Sequence, residues 1–177
     1  MKAQSQFLDV VTRDEAERRF REHLNLAPLG RESVPLHAAL GRVLAEDVAA
    51  PIDVPGFDRS NVDGFAVQAA DTWGAMEEQA RLLTLADETL APGIVPQREV
   101  TGGHATAIAT GGMLPRGADA VVMVEHTDAE DGRVQIRRAA TEGENVSYAG
   151  TDIARGETVL RAGQALSSRE IGVIAAL

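Results

Sequence analysis

DVPGFDRSNVDGFAV, residues 53–67, sets three Asp, a Ser, an Asn, an Arg and two Gly among apolar neighbours. Its end, Asp63-Gly64 between Val62 and Phe65, is on pattern alone a type I′ hairpin signal, because that turn needs positive φ at both central residues. The competing reading is chemical. A Gly lets another backbone or a ligand approach closely, and the carboxylate beside it could coordinate Mg²⁺ or accept a hydrogen bond.

Upstream, Pro51 and Pro55 restrict the backbone and mark a domain edge. The segment VPLHAALGRVLAEDV (34–48) predicts a helical turn at 36–40 and an extended run at 43–48. Further back, Thr12-Arg13-Asp14-Glu15 reads as a capping box with Val11 and Ala16 as a hydrophobic staple. Ala16, Phe20, His23 and Leu24 then fall at helical spacing, so a short amphipathic helix is expected over 13–25.

Downstream the pattern is mostly β to about residue 143. ARLLTLADETL (80–90) and HATAIAT (104–110) read as strands, while 67–79 could be a short helix or a loop. Thr-Gly-Gly occurs at 101–103 and again at 110–112, as two turns bracketing one strand. Val134 and Ile136 alternate with polar neighbours after Asp131-Gly132, which predicts a hairpin. In VVMVEHT (121–127) the alternation sets Val122, Val124 and His126 on one face and Met123 with Glu125 on the other. Pro115 and Gly117 fit positions i+1 and i+3 of a turn. The tail predicts a strand at 157–161, a turn at Gly163, and a helix opened by the capping box Ser167-Ser168-Arg169-Glu170. That helix runs to Leu177 without a stop signal, so more chain is expected to follow.

Composition narrows the chemistry. A chain of 177 residues, 44% apolar, can bury a core in one domain or two small ones, and a soluble protein is expected. With no Cys there is no thiolate metal site, thiol nucleophile or disulfide, and the cytoplasm is the default compartment. A net charge of −10 and 3% aromatic residues argue against nucleic-acid binding by phosphate neutralisation or base stacking. No apolar run reaches the roughly 20 residues of a membrane span, and no secretory h-region opens the chain. His23, His37, His104 and His126 show no metal-ligand spacing. Lys2 is the only lysine, so an anionic ligand must be held by Arg, backbone N–H groups or a cation. ATGG (109–112) offers such N–H groups after a strand, although no Lys follows as in a P-loop.

Three long motifs then stand in order and register over residues 35–177: PGFDRSNVDGFAV (55–67), IATGGMLPRGADAVVMVEHT (108–127) and GENVSYAGTDIARGETVLRAGQALSSREIGVIAAL (143–177). Together they resemble the N-terminal half of the molybdopterin molybdenumtransferase family (MoeA, and the E domain of gephyrin). The resemblance implies insertion of molybdate into adenylylated molybdopterin with Mg²⁺ involved and AMP released, by a homodimer. It implies an α+β fold: an elongated mixed α/β domain of 1–50 with 144–177, and an inserted β-rich, sandwich- or barrel-like domain of 51–143. The family's functional acid falls on Asp63, as a catalytic and metal-positioning residue, and its threonine on Thr110. Gly111 and Gly112 would hold anionic oxygens through their N–H groups, with Ser60 and Asp152 as further substrate-binding residues. Departures are also visible. Asn61-Val62 replaces the family's usual Ala-Met, and Thr151 replaces the Glu of its Gly-Glu-Asp-Ile motif, whose nearby Arg is lost around Ser147-Tyr148. Members continue into a lysine-bearing α/β domain against which the first helix docks, so residues 13–25 are expected to be loose here. The rival expectation is a non-catalytic scaffold or interaction module of the same fold.

Overall fold

The structure, a computed structural model, describes residues 10–177. Lys2 and the start of the chain lie outside them. Residues up to Val34 form one compact unit and residues Pro35–Leu177 another.

The first unit carries α1 (Arg13–Glu22). Thr12 Oγ1 accepts the N–H of Glu15 at 3.3 Å, but only that half of the expected box forms. The Glu15 carboxylate turns instead to Arg18 Nη2 at 2.7 Å and Arg19 Nε at 2.6 Å. The helix stops before its predicted end: His23 is the C-cap, and its ring Nδ1 lies 2.8 Å from the carbonyl of Arg19. No residue of α1 is buried, and Phe20 is 67% exposed.

The second unit runs through a 3-10 turn at Leu36–Ala38 into β1 (Val48–Ala49), β2 (Arg59–Ser60) and β3 (Gly64–Val67). After a second 3-10 turn at Ala69–Thr72 come β4 (Arg81–Leu90), β5 (His104–Ile108) and β6 (Ala120–Met123). Next are β7 (Thr127–Glu130), β8 (Arg133–Ile136), β9 (Val146–Ser147), β10 (Thr158–Leu160) and α2 (Ser168–Ala175). Six strands form one mixed half-barrel sheet in the order β6-β3-β5-β4-β8-β7. All pairs in it are antiparallel except β4 with β5. A separate antiparallel series joins 43–60 to 146–165: β1 with β10, β2 with β9, and bridges at Val43↔Ala165 and Val54↔Ile153.

β3 explains why the sheet holds. It is paired on both sides and buried at all four positions, as expected of a strand covered on both faces. Phe65 and Val67 pack with Leu83, Val122, Val134 and Ile136, while Ala66 packs on the other side with Leu90, Ile108 and Val121. Burying side chains such as Leu90 or Ile136, both 0% exposed, stabilises the fold by roughly 1.5–3 kcal/mol each.

Local patterns fared differently. Asp131 and Gly132, at φ 50° and 73°, make the expected β7–β8 hairpin. The two Thr-Gly-Gly turns do bracket one strand, β5. Asp63-Gly64 is not a hairpin turn: neither residue has positive φ, and the strands on either side pair elsewhere. Gly64 is demanded by proximity, since a Cβ there would lie 1.9 Å from the carbonyl oxygen of Val122. The strand alternation expected through residue 126 also fails. β6 ends at Met123, and Val124–His126 is a 3-10 turn whose first N–H donates to the carbonyl of Asp63 at 3.0 Å. The turn at Pro115 lies one residue later than predicted, with Ala118 N–H donating to the Pro115 carbonyl and Gly117 in third place at φ 81°. Ser167 and Glu170 complete both halves of their capping box.

Candidate functional site

Two segments remote in sequence meet beside β2. Ser60 N–H donates to Gly112 O at 3.0 Å, and Gly111 N–H donates to Ser60 O at 2.8 Å. This pairing sets the 109–112 turn against the bend at 61–63. Gly112 is required there, because a Cβ would come within 2.5 Å of the Leu90 carbonyl oxygen at the end of β4.

Asp63 and Thr110 are brought together by this arrangement. Oδ1 of Asp63 accepts both the backbone N–H of Thr110, at 2.7 Å, and its hydroxyl, at 2.9 Å. These two bonds, the backbone one first, hold the Asp63 carboxyl below its ordinary pKa against a weaker opposing effect of desolvation. Asp63 is exposed, neither entombed nor remote from the threonine bend. It is an ionised acceptor clamped by one oxygen.

The anion cradle expected of Gly111 and Gly112 is not present. Their N–H groups are spent on Ser60 O and Ala109 O, each at 2.8 Å, and the Thr110 N–H is spent on Asp63. Ser60 is likewise no ligand-facing hydroxyl. It is 1% exposed, donates to Val62 O at 2.6 Å and accepts the Val62 N–H at 3.2 Å, so it shapes the bend that presents Asp63. These three residues build the site without lining it.

Asp152 is exposed and makes no hydrogen bond to Asp63 or Thr110. Its N–H donates to Val54 O at 2.9 Å, and its carboxylate stands 3.9 Å from Arg59 Nη2. Thr151 closes the preceding turn through a hydroxyl bond to the carbonyl of Tyr148. Among the described residues no group of three His, Cys, Asp or Glu side chains converges as a metal cage. The donor set therefore offers Mg²⁺ a single carboxylate, Asp63, and does not build a metal site of its own.

Sequence reading missed four residues here. Asn145, at φ 60°, donates from Nδ2 to Val121 O at 2.8 Å, and its carbonyl accepts the Asn61 N–H at 2.9 Å. Ser147 Oγ donates to Asn61 Oδ1 at 2.7 Å. Asn is enriched at positive φ, so Asn145 carried a weak local signal. Arg59 and the Asn61–Ser147 pair carried none, because they depend on strand pairing across distant sequence.

A mixed half-barrel sheet, a separate antiparallel series of short strands, and an acid clamped in a threonine bend define a β-rich class of protein. Residues 11–177 match the model for the MoeA N-terminal region (domain I and II), and the chain belongs to that family. It is 41% identical over 145 residues to molybdopterin molybdenumtransferase 2 of Mycobacterium tuberculosis, covering 82% of this chain and 36% of that protein. It is 32% identical over 166 residues to the molybdopterin molybdenumtransferase of Staphylococcus epidermidis, covering 94% and 39%. Two crystal structures of the molybdopterin biosynthesis MoeA protein from Pyrococcus horikoshii superpose with TM-scores of 0.77 and 0.84, at 41% and 36% identity. They cover 82% and 94% of this chain, and 38% and 42% of theirs. The chain thus spans well under half the length of these relatives.

Proposed function

We propose that this chain is the N-terminal part of a molybdopterin molybdenumtransferase, which inserts molybdate into adenylylated molybdopterin and releases AMP. The observation that carries this reading is the family match over residues 11–177. The Asp63–Thr110 clamp supplies its local chemistry. A carboxylate held ionised repels oxyanions and accepts donors, so Asp63 would receive an N–H group of the pterin or one position of a Mg²⁺ held mainly by substrate oxygens and water. Thr110 fixes the direction of that carboxylate. Both Thr110 donors are already committed, so its part is to orient the acid.

The wider proposal follows the family resemblance. Residues 1–50 with 144–177 would form one elongated domain and 51–143 a β-rich insertion; the pairing of Val48–Ala49 with β10 and the Val43↔Ala165 bridge favour the first part, while Val54↔Ile153 and β2 with β9 cross the boundary at 50/51. A homodimer would complete the cleft from a region outside this chain. The cytoplasm fits a cysteine-free sequence, and no helix among the described residues is long and apolar enough to cross a membrane.

The test is cofactor formation by the intact gene product from adenylylated molybdopterin and molybdate. Asp63→Asn is expected to lower the rate roughly a hundredfold or more, as for loss of a preorganised charged group, and Thr110→Ser to retain most of it. No activity in the unmodified protein would overturn the transferase reading in favour of the scaffold. Unchanged activity in Asp63→Asn would remove the site and leave the family standing.

A further inference from the structure

With the Thr110, Gly111 and Gly112 N–H groups all donated within the protein, the phosphate oxygens of a pterin nucleotide need another holder. That need exists only if the protein is the proposed transferase. Within residues 1–177 the only lysine is Lys2, so among this chain's own side chains an arginine is the fixed cation that could contribute.

Arg59 occupies the fitting place. It precedes Ser60 in β2 and stands directly across from Ser147 in β9, and opposite residues in a ladder share a face. Asn61 shares that face as well, as its bond with Ser147 shows. Ser60, the alternate residue, turns inward and is buried. The same strand therefore places its hydroxyl under the Asp63 bend and its guanidinium on the open side. Arg59 has an acidic neighbour there, Asp152, at 3.9 Å, with side chains 42% and 62% exposed. Such a long, exposed pair contributes at most about 1 kcal/mol. A phosphate can offer the guanidinium two parallel charge-assisted bonds in its place. Asp58, adjacent in the chain, is already engaged with the Ala149 N–H at 2.8 Å.

We infer that Arg59 is an anion-binding residue of this site, whose guanidinium leaves Asp152 to grip phosphate oxygens of the pterin nucleotide. Asp152 is then a place-holder that competes with the ligand. Ser147 stands at the corresponding spot on the opposite strand, near where the resemblance expects an arginine.

The experiment measures binding of adenylylated molybdopterin to the intact gene product at low and high salt, with inorganic pyrophosphate as competitor. Arg59→Gln is expected to weaken binding about tenfold, flatten its salt dependence and abolish competition by pyrophosphate. Arg59→Lys should recover part of each effect, which excludes a folding defect as the cause. Asp152→Asn should tighten binding a few-fold by removing the competitor. Equal affinity in wild type and Arg59→Gln, or weaker binding in Asp152→Asn with Arg59→Gln unaffected, overturns the inference. No binding by the unmodified protein instead overturns the transferase reading on which it rests.

Discussion

Asp63 is read through the two hydrogen bonds that reach its Oδ1, and both come from Thr110. Because they lower its pKa in the folded protein, the stability they confer is fully present above the ordinary Asp value. It is lost as pH falls through the lowered one. Thr110→Val removes the hydroxyl but keeps the N–H. The Asp63 titration followed by carboxyl NMR should then move up part of the way toward the ordinary value, and no movement would show that the hydroxyl bond is absent in solution. At Gly64 the constraint is steric, with backbone rather than a flexible side chain in the way. Gly64→Ala is expected to destabilise the protein by about 3 kcal/mol, as severe overpacking does, measured by denaturant unfolding.

The short elements show what local sequence can and cannot specify. Ser167 and Glu170 lie three residues apart, and both halves of their box formed as the pattern predicts. Ser167→Ala should cost about 1 kcal/mol of thermal stability, as typical N-cap loss does. It should also raise the Glu170 pKa, which the Ser167 hydroxyl and N–H hold down, so that acid unfolding begins at higher pH. The β7–β8 hairpin was equally legible, because Asp131-Gly132 alone fixes its turn. Asp63-Gly64 carries the same dipeptide but forms no hairpin turn. What decides its conformation is the approach of β6 and the Thr110 bend, 47 residues away. The glycines of the second Thr-Gly-Gly turn misled for the same reason: their N–H groups looked available until Ser60 arrived to take one of them. Family resemblance located Asp63 and Thr110, but only the fold revealed that they face each other.

At the scale of the whole chain, the two units differ in what holds them. α1 buries no residue, and its visible supports are surface pairs such as Arg18–Glu15 and Arg21–Glu17, worth roughly 0.3–0.5 kcal/mol each. Helices of this length are marginal alone, whereas the sheet is anchored by fully buried Val67, Leu90 and Val121. Hydrogen exchange is therefore expected to be fast throughout residues 13–22 and strongly retarded at 65–67 and 121–122. Comparable protection of both would contradict the contrast. The antiparallel series that pairs Arg59 with Ser147 has a consequence for biosynthesis. Translation proceeds at roughly 5–20 residues per second, so β2 leaves the ribosome many seconds before its mate exists. During that interval the segment around Ser60 is an unsatisfied edge on a nascent polypeptide, exposed to chaperones and to neighbouring copies on the same message.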